Sequence, residues 1–214
     1  MAEAQPRLYL ISPPLAAAAP FAAALEAALT AGDVACVLLR LETLAASDSK
    51  KILTTLVPLA QKHDAAVLLE DPSLAGRFDA DGVHAAGFGP DLDAALAAMK
   101  ARGAKDEKIV GVGGVASRHD AMLAGEAGVD YLMFGAPAGE AAQSADAEMV
   151  AWWAEISTVP CVAFAHELAD VASFAEAGAD FIALDAAVWQ HKDGAAAAVQ
   201  TAMAALAIAH EPTR

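Results

Sequence analysis

Residues that could do chemistry recur in this sequence at one kind of place, directly after a short apolar run. Each run is typical of a buried strand, so the polar residue or glycine that follows it stands at the C-terminal end of that strand. Because the C-terminal ends of parallel strands in a barrel meet at one face, these groups are expected to share a site. They are Ser12, Arg40, Asp71, His84, Gly113, Gly114, Gly135, His166 and Asp185.

Two of these strand ends carry opposite charges. Arg40 follows an apolar run, and its permanently charged fork suits a phosphate or a carboxylate; the alternative is an ion pair with Glu42 or Glu70. Glu70 and Asp71 end the third apolar run, and their hard oxygens suit Mg²⁺ bound to a substrate diphosphate. The alternative is that one carboxylate pairs with an arginine while the other caps the following helix.

A histidine and three glycines are further candidates. His84, two residues after a glycine, is either an acid–base group or a hydrogen-bonded core residue. Gly113 and Gly114 precede a predicted helix, where backbone N–H groups bind an anion or the glycines simply permit a tight turn. Gly135 ends another strand and allows backbone to approach a ligand closely.

One phrase of the sequence indicates how these ends are positioned. Residues 127–135 are typical of a helix that ends at Gly128, followed by a strand over Tyr131 to Phe134. Similar glycine–aspartate junctions recur about fifty residues apart, with a further strand in each interval. The resulting eight strand–helix units predict a (β/α)₈ TIM barrel, a single domain over residues 1–214. An open doubly wound sheet is the alternative, but the even unit length favours the barrel.

Bulk properties narrow the classes of partner. The chain has 214 residues, 57% of them hydrophobic, and a net charge of −15, which argues against nucleic acid. No apolar run approaches a membrane span, and the first residues lack the basic start of a signal peptide. Cys36 and Cys161 lie within apolar runs, so we expect two buried thiols and a cytoplasmic protein.

The order of motifs resembles the thiamine phosphate synthase/TenI family over essentially the whole chain. The Ala80–His84 run, Ala-Asp-Gly-Val-His, and the ending Phe134-Gly135 are the most specific marks. The other marks are Leu8–Ile11, Val37–Arg40, Glu70-Asp71, Ile109–Val112 and the Ala-Gly-x-Asp-aromatic phrases at 127 and 177.

The resemblance implies a (β/α)₈ fold, usually oligomeric, so a homo-oligomer is expected. It also implies that a pyrimidine diphosphate and a thiazole phosphate, both phosphorylated heterocycles, are joined with Mg²⁺ and release of diphosphate. By this resemblance Arg40 binds the diphosphate and Asp71 the metal, with Asp91 as a displaced second ligand. Together with the residue-level reasoning, the predicted catalytic residues are Arg40 and His84, and the predicted phosphate-binding residues are Arg40, Gly113, Gly114 and Gly135.

Several positions depart from the family pattern. Leu38 and Glu42 stand where the family has a glutamine and a lysine, and Glu70 replaces an asparagine. Residues 136–139 replace a Ser-Thr-Lys loop, while His166 and Asp185 stand where phosphate-binding glycine and polar residues are expected. These changes leave two alternatives open. One is a non-catalytic family member that binds a phosphorylated ligand or a protein, and the other is a TenI-like thiazole tautomerase.

Overall fold

Eight parallel strands close into a barrel in which every strand pairs with its neighbours in chain order and β8 pairs with β1. The computed structural model describes residues 5–100, 108–137 and 142–209. This topology confirms the predicted (β/α)₈ barrel and excludes the open sheet. The strands are β1 (Arg7–Ile11), β2 (Val34–Leu39), β3 (Ala66–Leu69), β4 (Gly82–Ala85), β5 (Ile109–Val115), β6 (Tyr131–Phe134), β7 (Cys161–Phe164) and β8 (Phe181–Leu184).

Helices follow the strands and cover the outside of the barrel. They are α1 (Ala19–Ala31), α2 (Ala46–Gln61), α3 (Pro72–Arg77), α4 (Pro90–Lys100), α5 (Arg118–Ala127), α6 (Ala147–Ile156), α7 (Val171–Glu176), α8 (Ala186–Trp189) and α9 (Ala195–Ala209). The last of these packs against α1 and α7 and so closes the ring of helices. Among the described helices, none combines the length and apolar character needed to span a bilayer.

The repeated glycine–aspartate phrase has a structural cause at the N-terminal end of the barrel. Three of its aspartates accept a backbone N–H near the start of the preceding strand, which ties an odd-numbered strand to the even-numbered one that follows. The pairs are Asp81 with Val67, Asp130 with Val110 and Asp180 with Cys161, at 2.7–2.8 Å. At the fourth junction Asp33 forms a two-bond ion pair with Arg7 of β1. The repeat therefore marks pairs of strands.

Apolar side chains form two cores, one between the strands and the helices and one inside the barrel. The outer core includes Leu8, Leu10, Leu53 and Leu132, all fully buried. Alternation along each strand sends the other residues inward, as expected of a pleated strand. The inner core contains Tyr9, Ile11, Cys36, Leu38, Leu68, Tyr131, Met133, Val162, Phe164 and Ala183.

Local structure differs from the prediction in three places. β5 runs to Val115, so Gly113 and Gly114 lie inside the strand and not in the turn before α5. After β7, where the sequence pattern predicts one helix over 166–177, the chain forms a 3₁₀ turn (Leu168–Asp170) followed by the shorter α7. The short α8 after β8 was not predicted. The sequence pattern also predicts a helix over 91–102 and a loop over 137–143, and residues 101–102 and 138–141 of these lie outside the described residues.

Candidate functional site

Arg40 lies at the C-terminal mouth of the barrel and is held from three sides. Its backbone N–H donates to Ser12 Oγ at 2.9 Å, which fixes the end of β2 against β1. Its guanidinium donates from Nε to Glu70 Oε1 at 3.3 Å and from Nη1 to the carbonyl of Pro137 at 3.2 Å. The side chain is half-buried. The ion pair with Glu70 confirms one of the alternatives open at the sequence level, and the guanidinium bridges β3 and the segment after β6.

The two carboxylates that end β3 have different partners. Glu70 pairs with Arg40, while Asp71 Oδ1 accepts the backbone N–H groups of Ser73 and Leu74 at 2.7 and 3.3 Å and caps α3. Partial burial acts to raise the pKa of Asp71, but the Ser73 side chain and these backbone N–H groups together hold it below its usual value. Asp71 is therefore an ionised capping residue, and both capping N–H groups bind the same oxygen, Oδ1.

The structure brings together no complete metal site. Asp91 lies in the first turn of α4 and is exposed. In residues 5–100, 108–137 and 142–209, no three His, Cys, Asp or Glu side chains come close enough to hold a metal ion. The metal-ligand roles of Asp71 and Asp91 stay predictions.

His84 projects from β4 into the barrel interior and is 4% exposed. Its Nδ1 lies 2.7 Å from the hydroxyl oxygen of Tyr131, and that hydroxyl lies 3.0 Å from the hydroxyl of Tyr9. Burial, and secondarily the positive charge of Arg40, lowers the pKa of His84 to about 4. The imidazole is therefore neutral at neutral pH, and a hydrogen bond already engages one of its nitrogens.

The candidate glycines are explained first by their protein neighbours. A Cβ on Gly113 would lie 2.9 Å from His84 Nε2, and one on Gly114, whose φ is +67°, would lie 3.0 Å from the carbonyl oxygen of Ala86. Gly135 has a φ of +87°, and a Cβ there would meet Ala145 N and Gln143 O at 2.9 Å. The N-terminus of α5 is capped by Ser117. Phosphate binding by the three glycines stays a prediction.

A cleft of about 300 Å³ opens beside two of these glycines, between the ends of β5 and β6. Its polar wall includes Ser144, whose hydroxyl donates to Asp170 at 2.7 Å and accepts the backbone N–H of His166 at 3.0 Å. The lining residues are Gly114, Val115, Ala116, Phe134, Gly135, Ala136, Gln143, Ser144, Asp146 and Met149. Sequence reasoning missed Gln143 and Ser144 because they follow the end of β6 at Phe134 by nine and ten residues. An antiparallel bridge between Ala136 and Gln143 returns them to the mouth.

The ends of β7 and β8 complete the mouth. His166 is exposed, with its ring centroid 6.5 Å from that of Phe164 inside the barrel. Asp185 has one buried carboxylate oxygen, Oδ1, that finds no hydrogen-bond partner among the described residues. Together with Glu70 and Asp71, this carboxylate makes the mouth more acidic than a site built only for anions.

The fold and this mouth define a (β/α)₈ barrel whose candidate functional residues lie at the C-terminal ends of the strands. A family model described as thiamine monophosphate synthase matches residues 8–188, and the chain belongs to that family. It is 45% identical to a thiamine-phosphate synthase of Rhodospirillum centenum, over 90% of this chain and 94% of the relative. It is 35% identical to one of Hyphomonas neptunium, over 91% and 90%.

A solved structure shows the same architecture. The thiamine phosphate pyrophosphorylase from Pyrococcus furiosus superposes with a TM-score of 0.79 at 23% identity, over 96% of this chain and 97% of that one. The geranylgeranylglyceryl phosphate synthase from Thermoplasma acidophilum gives a TM-score of 0.69 at 15% identity, over 94% and 93%. At these identities the likeness concerns the fold alone.

Proposed function

We propose that this chain is a thiamine-phosphate synthase, which joins a pyrimidine diphosphate to a thiazole phosphate and releases diphosphate. The observation that carries the proposal is the placement of Arg40 at the mouth of a barrel that belongs to this family. In the reaction, a thiazole ring nitrogen forms a bond to the pyrimidine methylene carbon while the bond from that carbon to the diphosphate oxygen breaks. The electron pair of the broken bond leaves with the diphosphate.

Arg40 supplies the stabilisation that this step requires. Negative charge grows on the leaving oxygen as the bond breaks, and a fixed guanidinium stabilises that charge more strongly in a partly buried site than in water. Nη2 makes no hydrogen bond within the described part of the chain, so it can donate to the ligand. Glu70 holds the Arg40 guanidinium in place through Nε, but its negative charge also weakens the attraction of the guanidinium for an anion.

The described residues at the mouth could bind Mg²⁺ only together with oxygen atoms of the substrate diphosphate. Mg²⁺ commonly takes one or two carboxylates, waters and substrate phosphates as ligands, and it needs no cage made of protein alone. Asp71 offers its Oδ2 at the mouth, since Oδ1 is used by the helix cap. When bound there, the ion would neutralise part of the charge on the diphosphate. Asp71 would orient the ion, and its cap on α3 would fix the position of the carboxylate.

The test is thiamine phosphate formation by the purified full-length chain with Mg²⁺ and both substrates, measured by chromatography together with diphosphate release. Arg40→Gln removes a charged contact of about 1.5–3 kcal/mol, so kcat/KM should fall roughly 10- to 100-fold. Arg7→Gln is the matched control, because Arg7 lies at the opposite end of the barrel in an ion pair with Asp33. A folded wild-type protein that forms no product above the enzyme-free background would overturn the proposal.

A non-catalytic role is the second candidate, and the acidity of the mouth favours it. Glu70 already occupies Arg40, and the unpaired oxygen of Asp185 would repel a phosphate rather than bind one. This alternative predicts that calorimetry detects binding of a heterocyclic ligand without turnover. Product formation that depends on Arg40 would exclude it.

A further inference from the structure

Three aromatic side chains form a hydrogen-bonded chain across the interior of the barrel. Tyr9 of β1, Tyr131 of β6 and His84 of β4 are 2%, 6% and 4% exposed. The Tyr9 and Tyr131 hydroxyls lie 3.0 Å apart, and the Tyr131 hydroxyl lies 2.7 Å from His84 Nδ1. The rings of His84 and Tyr131 stack at 5.8 Å with an angle of 17°. Buried polar groups are costly unless they are paired, so this chain constrains the orientation of each member.

Strand β5 is built to make room for this chain. A Cβ on Gly111 would fall within the ring of Tyr131, and one on Gly113 would lie 2.9 Å from His84 Nε2. Both glycines occupy positions of β5 whose side chains would point into the barrel. Neither has a positive φ, so the backbone conformation does not itself require glycine at these positions. Because these glycines have no side chain, they leave the space that the rings of Tyr131 and His84 occupy. The backbone of β5 therefore lies close against both rings.

The chemistry of the groups determines which atom of each pair donates. A phenol O–H is a good donor and a neutral imidazole nitrogen is a good acceptor, whereas a phenol oxygen accepts poorly from an imidazole N–H. The separation of 2.7 Å is close to the commonest O–H donor distance and at the short end of the range for N–H donors. With Tyr131 as the donor to Nδ1, the Tyr131 oxygen is left to accept from Tyr9. The proton of the neutral imidazole then lies on Nε2.

We propose that Tyr131 is a positioning residue that holds His84 as the Nε2–H tautomer, so that His84 presents a fixed, neutral hydrogen-bond donor to an acceptor atom of the substrate. The acceptor is a heteroaromatic nitrogen or an anionic oxygen. Nε2 lies beside Gly113, and the next residue, Gly114, lines the cleft at the mouth. This inference rests on the proposed function for the identity of the substrate, but the tautomer does not depend on it. It also removes His84 as a proton acceptor at neutral pH, since neither nitrogen then has a free lone pair.

The tautomer is tested by nitrogen-15 NMR of histidine-labelled full-length protein, with His84 assigned from its absence in His84→Asn. In the wild type, Nδ1 should show the shift of an unprotonated nitrogen that accepts a hydrogen bond, and Nε2 that of a protonated one. In Tyr131→Phe the Nδ1 resonance should move toward the shift of a nitrogen without a partner. In Tyr9→Phe it should stay within the wild-type range, because the Tyr131 hydroxyl still donates to it. A protonated Nδ1 in the wild type, or an unchanged Nδ1 in folded Tyr131→Phe, would overturn the proposal.

A kinetic cycle tests the consequence for the substrate. Tyr131→Phe should lower kcat/KM at least tenfold in the wild-type background and less than twofold in the His84→Ala background, where no side chain remains for the tyrosine hydroxyl to orient. Equal losses in both backgrounds would show a general structural effect and would contradict the positioning role. If the wild type makes no thiamine phosphate, the proposed function fails while the NMR result still decides the tautomer.

Discussion

Acid should destabilise this protein through His84, and the size of the effect follows from the burial of that side chain. The fold lowers the pKa of His84 from 6.5 to about 4. A histidine whose pKa is lower in the folded state stabilises the fold above the unfolded pKa and loses that contribution as the pH falls toward the folded pKa. The difference corresponds to ~3 kcal/mol of unfolding free energy, lost between pH 6.5 and pH 4.

The matched variant is His84→Asn. Its amide oxygen can accept the hydrogen bond of Tyr131 near the position of Nδ1, and its side chain does not titrate. We expect urea unfolding at pH 7.5 to give the variant a lower stability than the wild type, because the smaller side chain leaves space inside the barrel. On acidification to pH 4, the wild type should lose ~3 kcal/mol more than the variant.

Subtracting one curve of unfolding free energy against pH from the other removes the contribution of every titratable group that the two proteins share. Carboxylates such as Asp71, whose pKa is lowered in the fold, contribute equally to both curves. Tyr9→Phe is a second control, since it leaves His84 with its direct partner and should follow the wild-type curve. Parallel stability curves for wild type and His84→Asn from pH 7.5 to 4 would refute the argument that burial excludes the imidazolium.

Other substitutions test separate parts of the structure. Gly111→Ala should cost about 1–3 kcal/mol by overpacking a buried tyrosine ring, whereas Gly87→Ala, with open space around it, should change the urea midpoint little; equal effects would contradict the packing argument. Burial raises the pKa of the Cys161 thiol to about 12, so it should resist Ellman's reagent at pH 8 in the native protein and react in urea; rapid native reaction would show an accessible thiolate. Glu70→Gln should free Arg40 and tighten calorimetric binding of magnesium diphosphate by up to about fivefold; unchanged or weaker binding would show that the ion pair does not compete with the ligand.

Local sequence signals were sufficient to predict the barrel. Gly128 ends α5 in the left-handed conformation, with a φ of 78°, and Ser117 begins it by accepting the N–H of Asp120. Both signals act over a few residues and need no knowledge of the rest of the chain. The repeated Asp130 phrase was also visible, but its role required the register of the strands, because its partner, Val110, lies 20 residues earlier.

The site was less predictable because its contacts are distant in sequence. The sequence predicts that Gly113 lies in a turn that either binds an anion or needs glycine for its shape, but in the structure a Cβ there would crowd His84 on the neighbouring strand. Tyr9 and Tyr131 are 122 residues apart and were not among the candidates, although they meet in the barrel. Inward alternation along the strands was the available signal, since both tyrosines and His84 occupy inward positions. Without the register, that signal cannot show which inward residues come into contact.

The charges at the mouth of the barrel bear on which form of diphosphate the proposed reaction would use. Arg40 is already paired with Glu70, and Asp71 and Asp185 add negative charge close by. A bare diphosphate would therefore meet a mouth of unfavourable charge, in a chain whose net charge is −15. A diphosphate that carries Mg²⁺ would be repelled less, because the cation can bind the same carboxylate that repels the free anion. Under the proposed function, the magnesium complex would therefore bind better than the free diphosphate.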